Sequence, residues 1–242
     1  MARRRGLPRS MFGRIGRAKV PFTNPLAMPS SPPCSLYLVT PRLSTANSAG
    51  FAKTFAEVLA AAPVASALVR LAPEAAGDAK AIVGPLVAAA VAADCALILE
   101  NDARLAARLG ADGVHVAGAG EALDEALDSL KPERIVGAGS LRMRDEAMTA
   151  GEKGADYVMF GEPRGGAPAM ALELLLERVG WWAEIFETPC VAYAETIDAA
   201  SRLARAGADF VALEDAVWEA DSPAEAAREA YALVSKAAAG AP

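Results

Sequence analysis

From Pro33 onward the chain alternates eight short apolar runs with longer alanine-rich segments, and this alternation constrains the fold more than any other feature. The runs are Ser35–Thr40, Ala65–Arg70, Cys95–Glu100, Gly113–Val116, Ile135–Ser140, Tyr157–Gly161, Cys190–Ala194 and Phe210–Glu214. The segments with helical patterning are Ala49–Ala61, Ala76–Ala92, Asp102–Leu109, Glu121–Leu130, Arg144–Glu152, Ala171–Phe186, Ile197–Arg205 and Pro223–Ala237. Strands that read as continuous apolar runs are buried on both faces, as in parallel sheets. Eight such units predict an α/β fold, a parallel eight-stranded (β/α)8 TIM barrel forming a single domain over residues 34–238. An open doubly wound sheet alternates similarly, but no Gly-rich dinucleotide loop follows the first strand.

An internal echo supports the count. Gly110-Ala111-Asp112, Gly154-Ala155-Asp156 and Gly207-Ala208-Asp209 each precede a strand, at spacings of 44 and 53 residues. Each spacing is about two strand–helix units. The glycine suits the left-handed position that ends a helix before the chain turns into the next strand.

With 53% apolar residues the chain can fill a large core, which excludes disorder for its bulk. Charge is unevenly spread. Residues 1–19 carry Arg3, Arg4, Arg5, Arg9, Arg14, Arg17 and Lys19 and no acid, which leaves 17 basic against 30 acidic residues in the remainder. A body this acidic argues against a nucleic-acid partner. The longest uncharged stretch, Val20–Pro41, holds six prolines and cannot be a spanning helix, and the next, Ala81–Ala93, is too short, so no membrane association is expected. Residues 1–33 read as a disordered basic, proline-rich tail or an overextended start, with Met28 an alternative start. Cys34, Cys95 and Cys190 show no metal spacing and no even framework, which points to a reducing cytoplasm.

In a barrel of this type the functional site lies at the C-terminal ends of the strands. That rule nominates Thr40 and Arg42, Arg70, Glu100-Asn101-Asp102, His115, Ser140, Glu162 and Arg164, Glu195, and Glu214-Asp215.

Several of these pieces together resemble the thiamine phosphate synthase and thiazole tautomerase superfamily. The similarity runs over about residues 35–237. It is carried by Leu36-Tyr37-Leu38-Val39-Thr40, Arg70, Leu105-Ala106 through Gly110-Ala111-Asp112-Gly113-Val114-His115-Val116, Gly154-Ala155-Asp156-Tyr157-Val158 through Gly161, and Pro189 through Val217. The resemblance implies a magnesium-dependent transferase of thiamine biosynthesis that joins a hydroxymethylpyrimidine diphosphate to a thiazole phosphate and releases pyrophosphate. It also implies where this chain departs. Of the family's Gln-x-Arg-x-Lys on strand two, Leu68, Arg70 and Ala72 keep only the arginine. Glu100-Asn101 align with the family's Asn-Asp, and the Asn101-Asp102 pair is displaced by one residue. Ala117-Gly118-Ala119-Gly120 replace its Gly-Gln-Glu-Asp, and Glu162-Pro163-Arg164-Gly165-Gly166 stand in for its Thr-x-Thr-Lys loop. Ala194-Glu195 replace its phosphate-binding Gly-Gly, and Asp215, preceded by Glu214, replaces its serine.

These changes share a physical direction. Phosphate is held by closely approaching backbone N–H groups and by cations, whereas here acids stand at strands seven and eight. A unit charge facing a like charge at 4 Å costs roughly 4 kcal/mol at an effective dielectric near 20. Arg70 is either a ligand contact or the internal partner of Glu100 or Glu214. Glu100 and Asp102 are the candidate magnesium ligands, although Asp102 is equally placed to cap the third helix. His115 reads as a hydrogen-bonded interior histidine more than as a base. Trp181 and Trp182 suit either a homo-oligomer contact or packing on the barrel exterior. Candidate substrate contacts are Arg42, Arg70, His115, Ser140, Arg164, Glu195, Glu214 and Asp215. The expected partner is a small molecule, in one of two settings. One is the family reaction. The other is a non-catalytic relative whose acidic mouth favours a small cationic ligand.

Overall fold

The computed structural model describes residues 34–163 and 168–239. The expected tail, residues 1–33, and Arg164 lie outside the described residues. Eight parallel strands close into a barrel in chain order. They are β1 (Ser35–Leu43), β2 (Val64–Leu71), β3 (Ala96–Glu100), β4 (Gly113–Ala117), β5 (Ile135–Gly139), β6 (Tyr157–Phe160), β7 (Cys190–Tyr193) and β8 (Phe210–Leu213). β8 pairs with β1 from Ser35↔Phe210 to Leu38↔Leu213 and completes the closure. Helices α1 (Ser48–Ala61), α2 (Ala79–Ala92), α3 (Ala103–Leu109), α4 (Glu121–Leu130), α5 (Arg144–Glu152), α6 (Leu172–Ile185) and α7 (Ile197–Arg205) alternate with the strands. A short α8 (Asp215–Trp218) and the long α9 (Pro223–Ala239) follow β8.

The core has two layers because each strand is apolar on both faces. The outer layer, between sheet and helices, is aliphatic, with Leu36, Leu38, Val69, Leu97, Leu99, Val114, Val136, Val158 and Leu213 among its members. The inner layer fills the barrel with Tyr37, Val39, Leu68, Ile98, Tyr157, Met159, Val191, Tyr193 and Phe210. Most of the chain's few tyrosines therefore sit inside the barrel.

Three local departures from the sequence reading have physical causes. β1 continues past Thr40 through Pro41, because a register shift between Val39 and Arg42 lets the strand pass a residue that cannot donate a ladder hydrogen bond. The second helix begins at Ala79 rather than Ala76, since Pro73–Asp78 forms a 3-10 turn first. β8 ends at Leu213, and Glu214 becomes the residue preceding α8.

The stretch Pro73–Ala92 is long and apolar enough to cross a membrane by composition. Its Ile82, Val83 and Leu86 are nonetheless buried against the barrel, and it carries Glu74, Asp78 and Lys80, so it serves as a wall helix. Trp182 is fully buried, stacked on Phe186 at 4.1 Å, and its indole N–H donates to the Thr188 carbonyl at 2.7 Å. Trp181 is half-buried beneath the Arg144 guanidinium, 4.5 Å from its ring centre. Both tryptophans pack on the barrel exterior.

Candidate active site at the barrel mouth

The C-terminal strand ends bring the nominated residues into one ring with two distinct sectors. On the β1–β2–β8 side the central group is Arg70, which ends the inward-facing part of β2. Its backbone N–H donates to Thr40 Oγ1 at 3.1 Å and its Nε donates to the Thr40 carbonyl at 2.8 Å. Its terminal nitrogen forms an ion pair with Glu214 Oε1. The other carboxylate oxygen of Glu214 accepts from the Tyr193 hydroxyl at 3.1 Å. Of the two partners left open by the sequence, Glu214 is the one that Arg70 takes. Burial pushes the Arg70 pKa below its usual range, and the neighbouring Glu100 carboxylate opposes that shift. Glu100 itself pairs with Arg42 at 3.0 Å, and the Arg42 side chain is half exposed. Arg42 and Arg70 are thus both engaged by acids of the same chain.

On the β4–β5–β6 side the site has a buried, uncharged floor. His115 Nδ1 lies 2.9 Å from the Tyr157 hydroxyl, which lies 2.9 Å from the Tyr37 hydroxyl. The imidazole stacks on Tyr157 with 5.7 Å between ring centres. Burial lowers the His115 pKa to about 4, so the ring is neutral near pH 7. Gly139 is required here: a Cβ would collide with His115 Nε2 and stand 2.8 Å from Glu162 Oε1. Glu162 reaches across from the end of β6, and Oε1 accepts the backbone N–H of Ser140. Ser140 holds φ +55° and Asn101 φ +58°, two non-glycine residues in the left-handed region at adjacent parts of the rim. Such strain concentrates where surrounding structure fixes a functional loop.

Glu195 and Asp215 are exposed at the rim, the first after β7 and the second opening α8. Neither joins the Arg70 cluster by a hydrogen bond. Sequence reasoning did not nominate Tyr37, Tyr157 or Tyr193. A signal existed in the two-residue period of a strand, which places Tyr193 on the same face as Val191 and Tyr157 on the same face as Met159.

The magnesium expectation meets a direct test in the donor set. Magnesium takes oxygen ligands, commonly one or two carboxylates with water and substrate phosphate. Glu100 is ion-paired to Arg42, while Asp102 Oδ1 accepts the Leu105 N–H at 2.7 Å and caps α3. Asn101 Oδ1 accepts the Ala117 N–H at 3.1 Å, and the following Ala117-Gly118-Ala119-Gly120 offers no ligating side chain. Among the described residues no group of three or more His, Cys, Asp or Glu side chains could hold a metal ion. These residues do not fit a bound magnesium ion.

A closed parallel barrel with a polar ring at its C-terminal mouth defines a (β/α)8 barrel protein. Relatives make the class specific. The family described as thiamine monophosphate synthase matches residues 36–217. The thiamine-phosphate synthase of Rhodospirillum centenum is 41% identical over 197 residues, spanning 76% of this chain and 89% of that protein. That of Hyphomonas neptunium is 37% identical, spanning 84% of this chain and 94% of that protein. Among solved structures, a thiamine phosphate pyrophosphorylase from Pyrococcus furiosus superimposes with a TM-score of 0.70 at 24% identity, covering 84% of this chain and 96% of the other. A 3-hexulose-6-phosphate synthase does so with a TM-score of 0.64 at 20% identity, covering 82% and 99%, a likeness of fold alone. The chain belongs to the thiamine monophosphate synthase family and is a thiamine phosphate synthase-like protein.

Proposed function

We propose that the barrel mouth binds precursors of thiamine and carries the joining reaction of its family, hydroxymethylpyrimidine diphosphate with thiazole phosphate. The observation that carries this reading is Arg70, a guanidinium at the mouth of a barrel 41% identical to a thiamine-phosphate synthase over 89% of that protein's length. In the reaction the bond between the pyrimidine methylene carbon and the diphosphate oxygen breaks, and its electron pair leaves with pyrophosphate. The thiazole nitrogen lone pair forms the new carbon–nitrogen bond. No proton transfer is needed, so the chain's part is positional and electrostatic. Arg70 and Arg42 would meet phosphate oxygens once their carboxylate partners yield, and Arg164, which follows β6 in the sequence, is the third cation within this reading. The neutral floor of His115, Tyr157 and Tyr37 would seat a ring and exclude water. Glu195, Glu214 and Asp215 set the charge around it. Magnesium serves the family reaction, but the donors described above do not fit it, and no step here is routed through it.

A second reading is favoured by the Arg70–Glu214 pair, which occupies the mouth's buried cation with an acid of the same chain. In it the mouth binds a small ligand, a cation being favoured by its acids, without turnover. The reducing cytoplasm suits either reading, and the three free cysteines, all buried, support that placement. Phosphorus NMR of both precursors mixed with the protein, with and without magnesium, tests the first reading. Catalytic release of pyrophosphate is the expected result. Binding of a precursor without release transfers support to the second, and no binding of any precursor overturns the first.

A further inference from the structure

We propose that Glu162 is a further catalytic residue of the joining reaction, a carboxylate that faces the pyrimidine ring and stabilises the positive charge the ring takes on as pyrophosphate leaves. This deepens the proposed reaction and rests on it.

The sequence aims this side chain from both sides. β6 ends at Phe160, and Gly161 turns the chain at φ +94°, where a Cβ would stand 2.8 Å from the Leu175 side chain. Pro163 follows and biases the backbone of Glu162 away from the helical region. The chain so directed carries the carboxylate across to β5, where Oε1 accepts the Ser140 N–H. Gly139 beside it has no side chain. The groups that close on the point where its Cβ would stand are His115 Nε2 at 2.3 Å and Glu162 Oε1 at 2.8 Å. The carboxylate thus overlooks the file of His115, Tyr157 and Tyr37. Its charge reaches that floor. Burial is the largest cause raising the pKa of both phenols, and Glu162 is among the charges that add to the rise.

The two sectors of the mouth then match the two halves into which the substrate divides. Arg70 and Arg42, with Glu214 and Glu100 beside them, stand on β1 and β2, where the anionic diphosphate would be held. Glu162 stands across the ring, beside β5. When the bond between the methylene carbon and the diphosphate oxygen breaks, its electron pair leaves with pyrophosphate and the methylene carbon becomes electron-deficient. The aminopyrimidine ring shares that positive charge through its amino and ring nitrogens. A fixed carboxylate facing the ring stabilises this developing charge more than it stabilises the uncharged ring before reaction. The thiazole nitrogen lone pair then forms the new bond, and the positive charge passes to the thiazolium nitrogen.

A permanently charged probe separates the carboxylate's role from turnover. The probes are para-amino-N-methylpyridinium and its uncharged isostere para-methylaniline, titrated calorimetrically at neutral pH. The native protein should bind the cation at least about tenfold more tightly, ~1.4 kcal/mol. Glu162→Gln keeps an acceptor for the Ser140 N–H and removes the charge. It should lose that preference, with affinity for para-methylaniline unchanged, whereas Glu162→Asp should retain most of it. In the joining reaction Glu162→Gln should lower kcat for pyrophosphate release at least about tenfold, the same ~1.4 kcal/mol, without raising KM for the pyrimidine diphosphate. Should Glu162→Gln fail to fold, Glu162→Ala reads the same losses. Equal binding of the two probes by the native protein overturns the proposal, and that arm needs no variant. A Gln variant that keeps the preference, or that weakens both probes together as a structural role predicts, overturns it as well. A preference lost in the variant, with no pyrophosphate released by the native protein, overturns the joining reaction alone, and the carboxylate then takes a cationic ring without turnover.

Discussion

The two ends of this barrel solve the same problem, terminating eight buried strands, in opposite ways. At the N-terminal end the three Gly-Ala-Asp turns are one device used three times. Gly110, Gly154 and Gly207 take φ of +77°, +95° and +103° where the helices end. The aspartate that follows accepts the backbone N–H of the preceding strand. Asp112 takes that of Leu97, Asp156 that of Val136 and Asp209 that of Cys190, each at 2.8 Å. Every even strand in this set is thereby tied to its odd neighbour by a charge-assisted bond. At the C-terminal end nothing repeats. Arg70 meets Glu214, Arg42 meets Glu100, and Glu162 meets the Ser140 N–H, each by a different geometry. The regular end serves the fold, and the irregular end is where the proposed precursor site lies.

Removing one half of the mouth's buried ion pair should have the largest effect. Arg70→Met leaves the Glu214 carboxylate without its cation, at a cost of about 3–5 kcal/mol. At roughly 2–4 °C per kcal/mol for a domain of this size, the melting temperature should drop by about ten degrees. The double change Arg70→Met, Glu214→Leu should recover much of the loss, because no unpaired charge remains. A single variant as stable as the native protein would mean that water reaches Glu214, and the contrast between the two ends would lose its energetic basis.

The sequence carried the barrel because eight apolar runs and three turn motifs are local signals. α8 escaped it, since four residues from Asp215 to Trp218 offer no periodicity, and Pro41 hid the continuation of β1. The mouth was legible only as a set of strand ends. Arg70 and Glu214 are 144 residues apart, and nothing local chooses Glu214 over Glu100. The tyrosine file was missed for a different reason. Tyr37, Tyr157 and Tyr193 look like ordinary aromatic strand residues until closure of the barrel turns their hydroxyls inward. Asp102 shows the reverse case, a residue whose capping role follows from its place before α3.

Between the two ends lies His115, and acid should expose it. Its folded pKa is about 4 against 6.5 for the free side chain. The unfolded chain takes up a proton near pH 6.5 while the folded barrel refuses it until about pH 4. The neutral-ring contribution is therefore complete above pH 6.5 and is lost progressively as the pH falls through that window. By pH 5 the loss is about 2 kcal/mol. Between pH 7 and pH 5 the unfolding free energy, read by denaturant titration, should fall by about 2 kcal/mol more in the native protein than in His115→Gln. Tyr157 and Tyr37 face position 115 in both proteins, and burial raises the pKa of each phenol, so neither titrates between pH 5 and pH 7. Equal falls in the two proteins would show that the imidazole is protonated or wetted inside the barrel.

The smallest expected effects separate the two ends most cleanly, because they set one acid of each end against the other. Asp112→Ala leaves the Leu97 N–H without an acceptor at a buried strand start, which should cost about 1–2 kcal/mol, or a few degrees in melting temperature. Precursor binding should not change, since the turn lies at the far end of the barrel from the mouth. Glu195→Ala removes an exposed rim acid and should alter stability by less than about 0.5 kcal/mol. Its effect should appear instead as a modest rise in phosphate affinity, one that fades with salt because the side chain is open to solvent. The pair of variants is read by thermal melting and phosphate titration together. Stability moving with Asp112 alone and affinity with Glu195 alone is the pattern that division of labour between the two ends requires. A Glu195 variant that melts early, or an Asp112 variant that binds differently, would show the ends to be coupled through the strands that join them.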